Sequence, residues 1–166
     1  MKEYTLGFLF KDGKIILAKK TRKIGADKYN GYGGRIEEGE DKITNLLRET
    51  EEECGVSLDK EKCKELGVAD FYFDDKSFND LRVFVYRIDE FDGYPKKSEE
   101  MGEPEEFDLD KIPYEEMMLG DDEFLHYILE DKKFEGEIHF LENGEKLVSA
   151  KFKEIGDELK NEIEIH

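Results

Sequence analysis

The sequence predicts one α+β domain, a mixed β-sheet layered with one long helix and one short helix. Three observations carry this. Apolar and aromatic runs of strand length recur between turn signals along most of the chain. Only residues 41–54 hold a helical repeat over several turns. The chain has 166 residues, 37% of them hydrophobic, with 12 Phe and 8 Tyr, which is enough for one sizeable core.

The elements follow in order. Tyr4 to Phe10 reads as a strand, Lys11-Asp12-Gly13-Lys14 as a turn and Ile15 to Ala18 as its partner strand. Residues 20–30 are cationic and irregular, with Lys20, Arg22, Lys23 and Lys28. Gly31, Gly33, Gly34 and Gly39 punctuate the next stretch. Asp41 to Cys54 is the long helix, with Ile43, Leu47, Thr50 and Cys54 on one stripe, Leu46 beside it and Gly55 as the stop. Strands are expected near 65–73 and 81–88, joined through Asp74-Asp75-Lys76 and Phe78-Asn79-Asp80. Residues 89–104 read as loop, and Phe107 to Ile112 leads to Pro113. Asp121 to Leu129 is the short helix. Phe134 to Phe140 and Lys146 to Phe152 flank Asn143-Gly144, a hairpin signal. The expected organisation is one domain over 1–156 and a charged tail over 157–166.

Charged residues make up 42% of the chain, against about a quarter in an average domain. Lys and Arg number 26 and Asp and Glu 44, a formal charge of −18. Such a surface repels nucleic-acid polymers and anionic membranes, so neither is an expected partner. A small phosphorylated ligand stays possible if a divalent cation inverts the local field. The two cysteines form no CxxC and the three histidines stand far apart, which argues against zinc and against a disulfide framework. No run approaches a membrane span and the start is no signal peptide, so a cytoplasmic location and a monomer are the expectation.

One stretch carries chemistry. Glu49, Glu52 and Glu53 stand at i, i+3 and i+4, which brings three carboxylates to one side of the long helix. They form either a solvated acidic helix end or a hard-oxygen site for Mg²⁺ or Mn²⁺. In a chain so rich in Glu the carboxylates alone favour the solvated end, while acids at a helix C-terminus oppose the helix dipole, which argues mildly for a functional reason. Upstream, Gly33-Gly34 lets backbone approach a phosphate or metal closely, and Gly39 allows a tight turn into the helix. Each is also compatible with an ordinary turn. The chain has no P-loop pattern, and no Ser-His-Asp set can be argued.

Together these residues match G-x5-E-x7-R-E-U-x-E-E-x-G-U, with U a bulky aliphatic residue, and so resemble the Nudix box. Gly34, Glu40, Arg48, Glu49, Glu52, Glu53, Gly55 and Val56 occupy its fixed positions. Thr50 departs from it at the first U position and lies on the core stripe. From about Tyr4 to Glu154 the chain also resembles the Nudix hydrolases that act on oxidized purine nucleoside triphosphates. Tyr4-Thr5-Leu6, Tyr29 to Gly34, Ser98 to Met101, Lys111 to Tyr114, Gly120-Asp121-Asp122 and Lys132 to Gly136 carry that likeness.

The resemblance implies a Nudix α/β/α sandwich and Mg²⁺-dependent (or Mn²⁺-dependent) hydrolysis of a purine nucleoside triphosphate to the monophosphate and pyrophosphate. 8-oxo-dGTP leads as substrate, in sanitation of the nucleotide pool. It implies metal ligation by the Gly33 carbonyl with Glu49, Glu52, Glu53 and Glu100, with Arg48 orienting the glutamates. Lys20 and the backbone of Tyr32, Gly33, Gly34 and Arg35 would face the triphosphate. Asn30, Asp121 and Asp122 would read the base edge, with Thr5, Phe71 and Met101 lining the pocket. Without the resemblance, Asp121 reads as a helix N-cap, Asn30 as a turn cap, and Phe71 and Met101 as core. The family's pocket uses a Trp just before the Asp pair. This chain has none and is one residue longer around Met117–Gly120, so Met118 or Leu119 would pack on the base. The alternatives are a Nudix hydrolase of other nucleoside di- or triphosphate derivatives, and a nucleotide-sensing domain without catalysis, which the presence of both Glu52 and Glu53 disfavours.

Overall fold

A computed structural model describes residues 1–23, 25–75 and 77–156. The expected tail, 157–166, lies outside the described residues. The strands are β1 (Lys2–Lys11), β2 (Lys14–Lys19), β3 (Tyr29–Asn30), β4 (Cys63–Phe73), β5 (Leu81–Ile88), β6 (Glu105–Asp108), β7 (Phe134–Leu141) and β8 (Lys146–Glu154). The helices are α1 (Lys42–Cys54) and α2 (Asp121–Leu129). One mixed sheet runs β3-β2-β1-β5-β4-β7-β8, with β6 also on β2. The pairs β1–β5 and β4–β7 are parallel and the rest antiparallel.

Strand parity builds two cores. Successive side chains leave a strand on opposite faces. Phe8, Phe10, Ile15, Leu17, Phe71 and Val83 join Phe124, Leu125 and Ile128 of α2. Leu9, Ile16, Ala18, Tyr86 and Ile88, of the other parity in β1 and β2, join Leu46 and Cys54 of α1. The two helices therefore cover opposite faces, the expected α/β/α layering.

Local chemistry sets the helix ends. Asp41 is the N-cap of α1, its side chain accepting from the Thr44 amide, and Gly55 closes the helix in the left-handed conformation at φ 76°. At α2 the cap is Gly120, at φ 92°, and Asp121 is the first helical residue. The β7–β8 hairpin turns through Glu142–Gly144, where Asn143 and Gly144 both take positive φ. β3 and β6 are strands that the sequence pattern did not reveal.

Residues 32–36 form a further extended segment beside β1. The Gly7 amide donates to the Tyr32 carbonyl at 2.6 Å, the Thr5 amide to the Gly34 carbonyl at 2.9 Å and the Ile36 amide to the Glu3 carbonyl at 2.9 Å. This segment carries the glycines of the motif and places them against α1.

Candidate active site

Along α1 a step of four residues advances about 40° beyond a full turn, so Asn45, Glu49 and Glu53 lie on one line. That line faces the glycine segment. Glu53 is 7% exposed and its Oε1 accepts the Gly33 amide at 2.9 Å. A Cβ on Gly34 would stand 2.4 Å from the Glu49 carboxyl carbon, so any larger residue there would displace that carboxylate. Tyr32 and Gly34 turn their carbonyls to β1. Gly33, between them, turns its amide the other way, to Glu53.

Glu100, from the loop before β6, completes the group. One carboxylate oxygen from each of Glu49, Glu53 and Glu100 lies within 4.8 Å of the others. Burial pushes the Glu53 carboxyl up to about 8, against the amide of Gly33 and with Glu49 and Glu100 adding to the rise. Burial likewise raises Glu49, opposed by Arg48. Three crowded, oxygen-only donors, one of them deeply desolvated, fit a hard divalent cation, which would neutralise their mutual repulsion. Lys20 stands in the same field. Burial lowers its ammonium, and Glu53 and Glu100 pull it back up.

Glu52 lies elsewhere. It is 56% exposed on its side chain, 3.2 Å from Arg48, on the outer flank of the helix. The spacing 49, 52, 53 suggests one cluster, but a step of three residues falls about 60° short of a full turn. Glu52 thus sits on the exposed flank next to Glu49, the two carboxylates sharing Arg48 Nη1 at 3.2 and 3.1 Å. Arg48 grips Glu40 with two nitrogens, at 2.8 and 3.1 Å, and reaches Glu49 at 3.1 Å. This holds the Glu40 carboxyl down to about 2.

The other expected residues divide between two places. Met118 and Leu119 line a cavity of about 760 Å³ together with Lys23, Lys28, Phe78, Tyr114 and the hairpin tip at Asn143-Gly144. Phe71 packs beneath in the α2-side core, on Phe124 and Phe140. Asp121 is 4% exposed, and burial with the Asp122 charge beside it pushes its carboxyl up to about 8. It is not the N-cap, and a carboxyl held neutral there can donate a hydrogen bond. Asp122 is exposed at the same helix start.

Thr5 and Met101 do not line this cavity. Thr5 has the parity of Leu9, and its hydroxyl donates to Asn45 Oδ1 at 2.5 Å on the α1 face. Met101 is buried in the α1-side core with Leu9 and Ile16. Asn30 turns its Oδ1 back to the Gly31 amide at 2.8 Å, a local turn contact. Tyr32 is fully buried, its hydroxyl without a hydrogen-bond partner among the described residues, and its backbone is paired with Gly7. The carbonyl of Arg35 is held by Asn45. Sequence reasoning assigned no role to Tyr114, Phe78 or Asn143-Gly144 as cavity walls. Tyr114 sat in a stretch that carried the resemblance, and Asn143-Gly144 registered only as a turn.

Residues 4–128 match the family model described as the NUDIX domain. The chain is 33% identical over 153 residues to an oxidized purine nucleoside triphosphate hydrolase of Danio rerio, spanning 92% of this chain and 95% of that one. It is 32% identical to the protein of the same name from Mus musculus, spanning 92% and 94%. Its fold superposes on the crystal structure of a MutT protein from Bacillus halodurans with a TM-score of 0.78 at 21% identity, covering 92% of this chain and 98% of that one.

Proposed function

The chain belongs to the NUDIX domain family of hydrolases, and on that premise we propose that it hydrolyses purine nucleoside triphosphates to the monophosphate and pyrophosphate, with oxidized purines such as 8-oxo-dGTP as leading substrates. One observation carries the reading: the oxygens of Glu49, Glu53 and Glu100 converge on the segment where the Gly33 amide meets Glu53. The two relatives named for oxidized purine nucleoside triphosphates support the substrate class.

Glu49, Glu53, Glu100 and the Gly33 carbonyl are the groups that would hold Mg²⁺ or Mn²⁺. Such a cation, when bound, neutralises charge developing on the phosphate oxygens and orients them. Glu100 takes a proton from the attacking water as its oxygen bonds to an inner phosphorus. The bond from that phosphorus to the bridging oxygen breaks, and pyrophosphate leaves with the electron pair. Lys20 meets the phosphate charge. Arg48 touches no substrate; it fixes Glu49 and Glu40 and is a positioning residue. On the far side Asp121, as a neutral acid, donates to the base edge with Asp122 beside it, and Met118 and Leu119 pack on the base.

A second reading, broad action on purine deoxynucleoside triphosphates, is favoured by the cavity wall. Leu119, 45% exposed, and Met118 stand where stacking calls for an aromatic ring. A panel of oxidized and normal nucleotides with Mg²⁺ or Mn²⁺ and product identification tests both. The expected result is pyrophosphate plus monophosphate, fastest from 8-oxo-dGTP. Equal rates on dGTP select the second reading, and no turnover of any purine triphosphate refutes both.

A further inference from the structure

Asn45 is a polar residue in the first turn of α1, yet it is 0% exposed. Its amide joins three pieces of chain. Oδ1 accepts from the Thr5 hydroxyl of β1 at 2.5 Å. Nδ2 donates to the Arg35 carbonyl at 2.7 Å and to Glu40 Oε1 at 2.9 Å. Both Nδ2 protons are used. Turning the amide over would set its oxygen against a carbonyl and a carboxylate, so the network itself fixes the orientation. Core packing alone asks for no such group: an apolar side chain would fill the space and leave no polar atom to satisfy.

The consequence lies one and two turns along the helix. Asn45 shares its line with Glu49 and Glu53, and Arg35 follows the glycines that face them. The amide therefore sets the gap between α1 and the glycine segment at its open end. Glu40, held by the same amide, also holds Arg48 and through it Glu49. We infer that Asn45 is a positioning residue for the divalent cation site, fixing the separation at which the Gly33 backbone meets Glu49 and Glu53. This inference rests on the reading of that cluster as a cation site. Asn45 touches neither the cluster nor substrate and acts through Arg35, Glu40 and Thr5.

The test is Mn²⁺ binding to the full chain without nucleotide, followed by the electron paramagnetic resonance of free Mn²⁺, with melting temperature measured alongside. Asn45→Leu and Asn45→Ala weaken Mn²⁺ binding about 10- to 100-fold, the range for loss of a group that orients ligands. Thr5→Val, which removes one bond and keeps the shape, weakens it less, and Thr5→Ser restores it. Thr5→Val and Thr5→Ser keep the question answerable if the Asn45 variants fail to fold. Ile138→Val, in the opposite core, lowers the melting temperature and leaves Mn²⁺ affinity unchanged. Lowered melting temperatures with wild-type Mn²⁺ affinity in the Asn45 and Thr5 variants overturn the inference and leave the cation site standing. If the unaltered chain binds no Mn²⁺, the cation site falls and this inference with it.

Discussion

Gly33→Ala tests whether the contact of the glycine segment with β1 builds the site. At φ 159° the backbone is one that L side chains rarely adopt, so the substitution carries strain whatever the space. Space adds a second cost. The new methyl would stand 2.0 Å from the Thr5 carbonyl oxygen, 2.6 Å from its carbon and 3.0 Å from Leu6 Cα, all backbone atoms of a central strand. Ordinary contact begins near 3.4 Å, so the segment must withdraw by about 1.4 Å, the difference of 3.4 and 2.0. The bonds from the Thr5 amide to Gly34 and from the Gly33 amide to Glu53, each 2.9 Å, cannot both survive that shift. Overpacking with one or two lost hydrogen bonds costs about 2 to 4 kcal/mol. A displacement of about 1 Å in a positioned site costs roughly 100-fold in rate. The assay is kcat/KM on a purine triphosphate with saturating Mg²⁺, beside a thermal melt. A variant within about threefold of the parent in kcat/KM refutes the argument, whatever its melting temperature.

Glu53→Gln keeps the shape and an acceptor for the Gly33 amide but removes a charge; turnover should fall by about 10³-fold or more with the melting temperature unchanged or raised, and full turnover would sink the ligand assignment. Thr50→Val removes a buried hydroxyl that has no partner among the described residues, so the urea midpoint should rise by about 1 kcal/mol equivalent with activity intact. A fall in that midpoint would mean that the hydroxyl is satisfied. Asp121→Asn tests the buried acid: its folded value near 8 lies above the unfolded value of about 3.9, so its stabilising contribution is complete below that value and lost as pH rises through 8. Glu53, also raised to about 8, titrates in both proteins, so the Asn variant should lose less melting temperature than the parent between about pH 4 and 8, and it should flatten the preference among purine bases; parallel melting curves would contradict this.

Much of this was legible because it is periodic. Phe8, Leu9 and Phe10 alternate between two cores, and the stripe of α1 with Gly55 behind it fixes a helix and its end. Parity also decides a finer point: Thr5 shares the face of Leu9, so it does not line the α2-side cavity under which Phe71 packs. β3 and β6, at two and four residues, are too short to display a period. The spacing of Glu49, Glu52 and Glu53 placed three carboxylates on one side of a helix, but which flank faces inward depends on where the glycine segment lies. That is a tertiary fact: the segment faces Glu49 and Glu53, and Glu52 stands next to Glu49 across Arg48. Asn45 was hidden for the same reason, since a polar residue within a helix reads as solvent-facing until its partners arrive from 40 and 10 residues away. No local pattern points to Glu100, which came only through likeness to a family.

A chain of net charge −18 that handles a polyanion has to separate its repulsion from its recognition. The segment between β2 and β3 does this. Its ends are tied together, the Lys20 amide donating to the Lys28 carbonyl at 3.0 Å and the Asp27 amide to the Lys20 carbonyl at 2.8 Å. Lys20 at its root stands in the field of Glu53 and Glu100, while Lys23 and Lys28 line the cavity on the α2 side. One short loop therefore carries positive charge from the carboxylate cluster to the cavity, across the end of the sheet that parts the two cores. A mononucleotide bridging the carboxylate cluster and the cavity would run along this cationic loop, which offsets the repulsion its phosphates meet from the rest of the chain.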